Sequence, residues 1–367
     1  MKANKVKLIF VGGFLGAGKT TLLQCVSGSL ADQGRAVGLI TNDQAEHLVD
    51  TQLLAKSSGV VRELSGSCFC CNYNGFTEVV NELIQYGGGI DVIIAEPVGS
   101  CTDISATILQ PLKEQMQAEV AMAPFSVLAD PEKLEQILDG GDAGMHPSAA
   151  YIYRKQLEES DLILVSKTDR LSAERILVLK EKVSLVFPGR KVLAISARSG
   201  EGIGEWLHYV MNNTVSGSRI ATVDYAVYAE GEAVMGWLNA AVLLQGTAVD
   251  WDLFLEDYFS RLNDLLGSAV SIGHLKIMIE CMDDRYRIGN QTGAAGTLQF
   301  RGAAGTGNIA QMTINARVEM DPGLLEQQVF EALAKNISAG MFYEIRQCRS
   351  LSPGYPEPKY KYNYVVA

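Results

Sequence analysis

Short apolar segments alternate with stretches of helical pattern over the first 212 residues of the chain. Six of these segments are nearly continuous in apolar character and have the length of strands: 6–11, 36–41, 91–95, 125–129, 162–165 and 191–195. Strands that are apolar along both faces are typical of parallel sheets with helices packed on each side. The pattern therefore predicts an α/β domain with a mostly parallel sheet over residues 1–212.

The pattern changes after residue 212. Residues 213–223 begin with a run of polar and small side chains, which is typical of a linker. Beyond them, strand-like segments occur at 225–228, 242–244, 275–280, 297–301 and 311–318, and helical segments at 251–266 and 321–336. Pro322 occupies a favoured first-turn position. We expect a smaller α+β domain over residues 224–367, for which a ferredoxin-like sandwich is one arrangement, ending in an extended tail rich in Tyr and Pro.

Composition narrows the class of protein. The chain has 367 residues, of which 47% are hydrophobic, so two domains can each bury a core. Its net charge of −11 argues against general affinity for nucleic acid or an acidic membrane surface. We find no apolar run of membrane length and no leader pattern before the first strand. These features predict a cytoplasmic protein whose seven cysteines are mostly reduced thiols.

A glycine-rich turn lies between the first predicted strand and the helix after it. Residues 13–23 are Gly-Phe-Leu-Gly-Ala-Gly-Lys-Thr-Thr-Leu-Leu, which contain the Walker A spacing G-x4-G-K-[ST]. Glycines let backbone N–H groups surround a phosphate, and the helix N-terminus adds partial positive charge. Lys19, which we expect to be solvated, would neutralise the β- and γ-phosphates, and the Thr20 hydroxyl would bind Mg²⁺. The sequence therefore predicts a nucleoside triphosphate site formed by Gly13, Gly16, Ala17, Gly18, Lys19, Thr20 and Thr21.

Two later segments bear on the base of the nucleotide. Residues 164–169 resemble the guanine-recognising N-K-x-D element, in which the carboxylate of Asp169 would accept both guanine N–H groups and the stem of Lys167 would stack on the base. Ser166 stands where Asn is usual. Ser196 and Ala197 match the S-A-[KR] loop, which donates a backbone N–H to the guanine carbonyl. Together they favour GTP over ATP.

These motifs, with three others, resemble the CobW-like GTPases, which are relatives of the urease and hydrogenase nickel-insertion GTPases. Residues 13–23 match that family's G-F-L-G-A-G-K-T-T-L-L without a change. The segment beginning at Asn42 is similar to N-E-F-G-E-x3-D, with Asp43 for Glu and Ala45 for Gly. Residues 63–71 look like E-L-x-N-G-C-x-C-C, and residues 96–99 occupy the place of E-x-x-G. The resemblance extends from residue 5 to about residue 205.

The resemblance implies a P-loop NTPase fold and slow intrinsic GTP hydrolysis. It places Asp43 and Glu96 beside Mg²⁺ together with Thr20, and it makes Lys19, Asp43 and Glu96 the catalytic residues. Relatives often dimerise around the nucleotide, so a homodimer is expected as one arrangement. Residues beyond 224 lack the family's usual C-terminal motifs, so no partner is implied by them.

Cys68, Cys70 and Cys71 place three thiols within four positions. Thiolates bind borderline and soft cations such as Zn²⁺, Co²⁺ and Cu⁺. The three sulfurs can converge only if the backbone turns, which Gly66 permits. Three ligands leave a tetrahedral site open, and the candidates for a fourth are Cys101, Glu63, Asp43 and His47. The alternative is a buried reduced cluster or a redox-active thiol pair, although Cys70 and Cys71 are too close in sequence for an unstrained disulfide.

The leading hypothesis is a GTP-dependent metallochaperone or an accessory of metalloenzymes or the cobalamin pathway. It would hold Zn²⁺ or Co²⁺ at the three cysteines, between Asp43 and Glu96, so that hydrolysis could change the metal's coordination. The second domain would dock a client metalloprotein or a corrinoid-related protein. A second hypothesis is a nucleotide-gated accessory of a corrinoid or methyltransferase system whose thiols are structural. A P-loop metabolite kinase is a third, in which the guanine-recognising elements would be coincidental.

Overall fold

A computed structural model describes residues 5–43, 49–55, 59–268, 270–293 and 298–367. The chain forms two compact units. The first contains the described residues up to 43, those of 50–231 and the C-terminal residues 355–367; the second contains Val49 and the described residues of 232–354. This division differs from the predicted linker at 213–223, because a helix that begins at Tyr225 and the C-terminal tail both pack with the first unit.

The first unit is built around a parallel sheet. Its strands are β1 Val6–Gly13, β2 Val37–Asp43, β3 Val60–Ser65, β4 Val92–Glu96, β5 Val120–Met122, β6 Ser126–Ala129, β7 Leu162–Val165 and β8 Lys191–Ala194. Its helices are α1 Lys19–Asp32, α2 Val49–Ala55, α3 Tyr73–Ile84, α4 Gln110–Gln115, α5 Pro131–Leu138, α6 Pro147–Glu159, α7 Ala173–Val186, α8 Ile203–Asn212 and α9 Tyr225–Ala233. The strand order is β3-β2-β4-β1-β6-β7-β8, with β5 paired to β1, and every pairing is parallel.

The predicted parallel α/β domain is confirmed, and each of the six apolar segments contains a strand. Every residue of β1 is buried, as expected for a central strand covered on both faces. One layer of the core joins β1 to the apolar faces of α1 and α8, including Leu22, Val26 and Trp206. The structure adds β3 and β5, which the apolar pattern did not predict because β3 is only half-buried and β5 has three residues.

The second unit is an antiparallel sheet with two helices. It contains β9 Gly236–Asp250, α10 Trp251–Leu266, β10 Ile272–Cys281, β11 Tyr286–Gln291, β12 Gln299–Gly302, β13 Thr306–Val318, α11 Pro322–Asn336 and β14 Phe342–Leu351. The strand order is β12-β11-β10-β13-β9-β14. The four strands β10-β13-β9-β14 and the two helices follow the β-α-β-β-α-β connectivity of a ferredoxin-like sandwich, to which the β11–β12 hairpin is added. Apolar residues of both helices form one core with the sheet.

The predicted strand at 225–228 is wrong, because these residues begin α9. The carboxylate of Asp224 accepts hydrogen bonds from the backbone N–H groups of Ala226 at 2.9 Å and Val227 at 3.4 Å, which caps a helix start. Tyr225 and Tyr228 are three residues apart and therefore share a helix face, where their ring centroids lie 5.8 Å apart. In the described part of the chain, no helix combines the length and the apolar character needed to cross a membrane.

Candidate functional site

The candidate residues collect at one edge of the parallel sheet. The glycine-rich turn follows β1, Asp43 ends β2, the cysteine segment follows β3, and Glu96 ends β4. These four strands are neighbours in the order β3-β2-β4-β1, and Thr41 pairs in register with Glu96. Ligands of open α/β sheets bind at the carboxyl ends of the strands. The topology therefore brings the predicted nucleotide and metal residues to one edge.

The turn between β1 and α1 has the backbone that a phosphate loop requires. Gly13 has φ +132° and packs so closely on β6 that an added Cβ would lie 2.4 Å from the carbonyl oxygen of Leu128. Gly18 has φ +100° and immediately precedes α1. The N-cap residue Gly18 has no side chain that could cap this helix, and the N–H groups at a helix start of this kind are suited to bind an anion.

Lys19 and Thr20 contact the carboxylate at the end of β4. Lys19 Nζ donates to the carbonyl oxygen of Gly13 at 2.8 Å and lies 3.9 Å from Glu96 Oε1. The hydroxyl of Thr20 donates to Glu96 at 3.2 Å and 3.3 Å from its two oxygens. Lys19 is buried, with 7% of its surface exposed, so the expectation of a solvated cation is wrong. The hydroxyl and carboxylate oxygens of Thr20, Glu96 and Asp43 are hard donors of the kind that Mg²⁺ prefers.

The segment after β4 touches the phosphate loop. A Cβ on Gly99 would lie 3.0 Å from Lys19 Nζ and 3.2 Å from the backbone nitrogen of Leu15. The amide of Gln156, on α6, donates to the carbonyl oxygen of Gly99 at 3.0 Å and to that of Cys101 at 2.8 Å. One buried side chain therefore fixes both residues relative to α6. Sequence reasoning gave Gln156 no role, because it lies far along the chain in no motif.

The two segments that the sequence predicts to recognise the base contact each other. The hydroxyl of Ser196 donates to Asp169 Oδ1 at 2.7 Å and accepts from the N–H of Ser199 at 3.1 Å. Asp169 is exposed and its second oxygen can face a ligand. Ser166, in the place of Asn, donates to the carbonyl oxygen of Ala129 at 3.1 Å. The adjacent Ala197 is half-buried.

Lys167 is held by a residue that the sequence motifs did not include. Its backbone has φ +55°, and its Nζ lies 2.8 Å from Asp130 Oδ2. Burial opposes ionisation of Asp130, yet its charge interaction and hydrogen bond with Lys167 leave its pKa below the ordinary value. Asp130 also caps α5. This is the sequence signal by which it could have been found, because Asp before Pro is typical of a helix start.

The three cysteines of the C-x-C-C segment converge. Cys68 Sγ lies 2.9 Å from Cys70 Sγ and 3.2 Å from Cys71 Sγ, and the last two are 3.9 Å apart. Cys68 and Cys70 are buried and Cys71 is half-buried. The turn begins at Gly66, whose φ is +91°. Among the described residues, these three cysteines form the group of potential ligand side chains that lie close enough together to hold a metal ion.

Asn42 braces the cysteine turn from the neighbouring strand. Its amide nitrogen donates to the carbonyl oxygens of Leu64 at 2.9 Å and Ser67 at 2.8 Å, and its oxygen accepts from the N–H of Phe69 at 2.9 Å. Asn42 directly precedes Asp43. It belongs to the segment similar to the family's switch, but the sequence gave no sign that it supports the cysteines.

The thiols interact unequally. Hydrogen bonds with Cys101, Cys70 and Cys71 hold the pKa of Cys68 well below its usual range. The hydrogen bond with Cys101, followed by that with Cys68, raises the pKa of Cys70, and the hydrogen bond with Cys68 raises the pKa of Cys71 to about 11. Cys68 is therefore the thiol that ionises first, with the other thiols as donors to it.

The C-terminal tail lies over this segment within the first unit. The N–H of Lys359 donates to the carbonyl oxygen of Cys70 at 3.0 Å, and the N–H of Tyr362 donates to that of Ala106 at 3.0 Å. The ring of Tyr360 packs edge-on against Tyr73, with centroids 5.0 Å apart. Residues 353–367 contain no helix or strand.

Other candidates for a fourth ligand are placed less directly. His47, with Ala45 and Glu46 of the segment similar to the family's switch, lies outside the described residues. Glu63 is on β3 and Asp43 ends β2, but neither joins the cysteines in the group just described. Cys101 is buried and its carbonyl oxygen accepts a hydrogen bond from Gln156, but its thiol is likewise not part of that group.

A buried carboxyl group lies beside this segment. Glu159, at the end of α6, accepts hydrogen bonds from the hydroxyl of Thr102 at 3.0 Å and the N–H of Ser105 at 2.8 Å. Ser105 begins a π-helical turn, Ser105–Leu109, that leads into α4. Burial and the neighbouring Asp103 raise the pKa of Glu159 to about 8.

Replacing Glu159 by Gln should remove a pH dependence of stability. The folded protein keeps this carboxyl group protonated up to about pH 8, while the unfolded chain ionises near the ordinary value of 4.5. Its stabilisation is therefore complete at acid pH and is lost as pH rises between those values, at up to about 1.4 kcal/mol per pH unit. Urea unfolding at pH 5.5 and 7.5 should show a smaller decline in Glu159→Gln than in the unchanged protein. Equal declines would contradict this assignment.

Comparisons with known proteins agree with the arrangement of residues at this edge of the sheet. Residues 7–194 match the family model described as CobW/HypB/UreG, nucleotide-binding domain. The zinc chaperone CobW of Pseudomonas aeruginosa is 28% identical over 225 residues, which cover 54% of this chain and 58% of that protein. The mitochondrial methylmalonic aciduria type A homolog of Mus musculus is 30% identical over 213 residues, which cover 52% of this chain and 45% of that protein.

A third relative is the zinc-regulated GTPase metalloprotein activator 1 of Schizosaccharomyces pombe, which is 24% identical over 189 residues, covering 49% of this chain and 43% of that protein. The chain spans about half the length of the curated relatives it matches. The matched family model covers residues 7–194, which include the glycine-rich turn, the cysteine segment and Asp169, the residue that the sequence predicts to recognise guanine. The chain therefore belongs to the CobW/HypB/UreG family of nucleotide-binding domains.

Proposed function

We propose that this protein is a GTP-hydrolysing metallochaperone or metalloenzyme activator of the cytoplasm. It binds Mg²⁺ and GTP at the edge formed by β1, β2 and β4, and a thiophilic divalent metal, Zn²⁺ or Co²⁺, at Cys68, Cys70 and Cys71. The observation that carries the proposal is the convergence of three thiols, all within 3.9 Å of one another, at the same edge of the sheet as the phosphate loop. A client metalloprotein or corrinoid-related protein receives the metal, and a homodimer is one form in which the chain acts.

The nucleotide residues have separate roles in this proposal. Water attacks the γ-phosphorus, the bond to the β–γ bridging oxygen breaks, and GDP and phosphate leave. Lys19 neutralises the phosphate charge, and Thr20, Asp43 and Glu96 hold Mg²⁺, which supplies further charge neutralisation when bound. Positioning and electrostatic stabilisation are the main sources of catalysis in phosphoryl transfer. Lys167, Asp169, Ser196 and Ala197 select guanine.

The metal is cargo rather than scaffold in this proposal. The cysteine turn is attached to β2 through Asn42, which makes hydrogen bonds of 2.8 Å and 2.9 Å to Ser67 and Phe69 of the turn and one of 2.9 Å to Leu64 of β3. Asp43, the next residue, is a proposed Mg²⁺ ligand. A change at the Mg²⁺ site on hydrolysis therefore reaches the cysteine turn through one residue. The names of two relatives, a zinc chaperone and a zinc-regulated metalloprotein activator, support this use of the site.

A second candidate is a nucleotide-gated accessory of a corrinoid or methyltransferase system whose thiols are structural. The burial of Cys68 and Cys70, together with the raised pKa of Cys70, favours it, because protonated buried thiols also pack as small apolar groups. The two candidates differ in whether the isolated protein binds a metal.

We expect Co²⁺ to bind the anaerobically purified protein in a one-to-one complex with thiolate charge-transfer absorption in the near ultraviolet. Replacing Cys68, Cys70 and Cys71 by Ser should remove that absorption, because hydroxyl groups are poor ligands for a soft site. A matched triple variant, with Cys25, Cys281 and Cys348 replaced by Ser, should keep it. If a GTP analogue raises the affinity for Co²⁺ about tenfold, Co²⁺ must raise the affinity for the analogue about tenfold as well. This corresponds to a coupling free energy of about 1.4 kcal/mol.

Identical Co²⁺ titrations for the protein and its Cys68, Cys70 and Cys71 variant would overturn the metallochaperone function. Absence of Co²⁺ binding by the unchanged protein would do the same and would favour the structural role of the thiols.

A further inference from the structure

We propose that Asp130 is a positioning residue of the nucleotide site, which holds Lys167 in place for stacking on the base. This inference rests on the function proposed above, in which Lys167 and Asp169 select guanine. Asp130 belongs to neither the glycine-rich turn nor the base-recognising motifs. It would act on the nucleotide through Lys167 rather than by direct contact.

The sheet places Asp130 between the two halves of the nucleotide site. Asp130 directly follows β6, which lies between β1 and β7 in the sheet, and Ala129 of β6 is in register with Val165 of β7. The glycine-rich turn follows β1, and Lys167 lies two residues beyond β7. Because the carboxyl ends of parallel strands meet at one edge, all three segments lie where the ligands of such sheets bind.

Asp130 and Lys167 form a partly buried ion pair. Lys167 Nζ lies 2.8 Å from Asp130 Oδ2, and the side chains of the lysine and the aspartate are 21% and 15% exposed. The other carboxylate oxygen, Oδ1, accepts hydrogen bonds from the backbone N–H groups of Glu132 at 3.1 Å and Lys133 at 3.3 Å, at the start of α5. One oxygen of Asp130 therefore fixes the carboxylate on the helix, and the other binds the lysine.

The backbone of Lys167 is also fixed. Its φ of +55° and ψ of +34° lie in the left-handed region, which lysine rarely adopts. The backbone N–H and the hydroxyl of the preceding residue, Ser166, both donate to the carbonyl oxygen of Ala129, at 2.9 Å and 3.1 Å. The aliphatic stem of Lys167 is therefore held at both ends, by this backbone and by Asp130.

The first turn of α5 contacts the phosphate loop as well. Lys133 Nζ lies 5.4 Å from the centroid of the Phe14 ring, which is a cation–π distance. Phe14 belongs to the glycine-rich turn and is buried. Because the N–H of Lys133 is bonded to Asp130, the glycine-rich turn and Lys167 are supported by the same helix start.

A lysine that is ordered before the ligand arrives favours binding of the base. Ordering one long side chain on binding lowers affinity by about 2–12-fold, and the ion pair with Asp130 provides this order beforehand. The gain applies to ligands with a base and not to phosphate groups alone, which would bind at the glycine-rich turn. If Asp130 acted only through its negative charge, it would repel the phosphates, so its removal would strengthen binding instead.

The test measures the affinity of Asp130→Asn for a non-hydrolysable GTP analogue and for Mg²⁺–tripolyphosphate, which has no base. Asparagine caps a helix as well as aspartate does, but it has no charge to pair with Lys167. Affinity for the analogue should fall about 3–10-fold, and affinity for tripolyphosphate should not fall. The KM for GTP should rise by the same factor with kcat unchanged, because KM follows the dissociation constant when hydrolysis is slow.

The matched control is Asp321→Asn. Asp321 also precedes a proline and caps a helix, α11, where its side chain accepts a hydrogen bond from the N–H of Leu324 at 3.0 Å. This substitution removes the same charge from the same kind of helix start. It should leave both affinities and the KM for GTP unchanged.

A second comparison shows whether Asp130 acts through Lys167. Lys167→Met keeps an apolar stem and removes the ammonium group, so it should weaken binding of the analogue by a similar factor. Adding Asp130→Asn to Lys167→Met should cause no further loss, because the two substitutions remove the same interaction.

Each other outcome has a definite meaning. An affinity for the GTP analogue that is unchanged or higher in Asp130→Asn would overturn the positioning role and leave the proposed function intact. An equal loss for tripolyphosphate, an unaffected Lys167→Met, or a further loss in the double variant would also overturn it. If Asp130→Asn does not fold, Asp130→Ser provides the same comparison, since serine also caps helices. Equal affinity of the unchanged protein for GTP and ATP analogues would instead reject the guanine selection on which the inference rests.

Discussion

Replacing Lys19 by Ala should lower affinity for a non-hydrolysable GTP analogue by at least about 100-fold. A lysine that contacts two phosphates contributes hydrogen bonds to charged groups, each worth about 1.5–3 kcal/mol. In the structure, Lys19 Nζ lies 2.8 Å from the carbonyl oxygen of Gly13 and 3.9 Å from Glu96, so it is already at the turn where the phosphates would bind. Isothermal titration calorimetry with Mg²⁺ and the analogue measures the change directly.

The same substitution has a predictable effect on the fold. Lys19 is buried and donates one hydrogen bond to a backbone carbonyl, so its loss should cost about 1–2 kcal/mol of stability. Lys335→Ala, an exposed lysine of α11, is the matched control. Saturating analogue should raise the melting temperature of the unchanged protein and of Lys335→Ala, and not that of Lys19→Ala. Binding by folded Lys19→Ala within threefold of the unchanged protein would show that residues 13–20 do not form the phosphate site.

The fold of the first unit could be predicted because its strongest sequence signals are local. Six apolar segments and one glycine-rich turn each have a structure fixed by their own residues, and Gly13 and Gly18 adopt the positive φ values that the turn requires. The strand β3 was missed because only Leu64 of its six residues is buried, so it lacks the apolar pattern. An edge strand gains its structure from its neighbour β2 rather than from its own composition.

The site was predicted in its parts but not in how they are joined. The spacing C-x-C-C indicates a metal group, and Cys101 could be named as one of four candidates for the fourth ligand. The hydrogen bonds that connect the parts come from Asn42 and Gln156, which act through tertiary contacts and leave no pattern in the sequence. The contact of the tail with Cys70 likewise joins residues nearly 290 positions apart, which chain order alone could not indicate.

The second substitution with a large expected effect changes the preference for the nucleotide base. Asp169→Asn should weaken binding of the GTP analogue by roughly 30–150-fold, because one of two charge-assisted hydrogen bonds is lost, at about 2–3 kcal/mol. The carboxylate can accept from both guanine N–H groups, whereas an amide has one oxygen and one NH₂ group. The amide instead matches xanthine, which presents an N–H donor and a carbonyl acceptor at the same edge. The variant should therefore prefer the xanthine nucleotide.

The structure makes Asp169→Asn a conservative change. The hydroxyl of Ser196 donates to Asp169 Oδ1 at 2.7 Å, and an asparagine oxygen can accept the same hydrogen bond. Asp169 is exposed, so the change removes a charge without leaving a buried group unsatisfied. Asp264→Asn, at an exposed position of α10, is the matched control and should keep the guanine preference. Competition titrations with GTP, ATP and XTP analogues measure all three proteins. Equal affinity of the unchanged protein for ATP and GTP would refute the role of Asp169. An unaltered guanine preference in Asp169→Asn would also refute it, because the site would then differ from a guanine site in the part played by Asp169 as well as in Ser166.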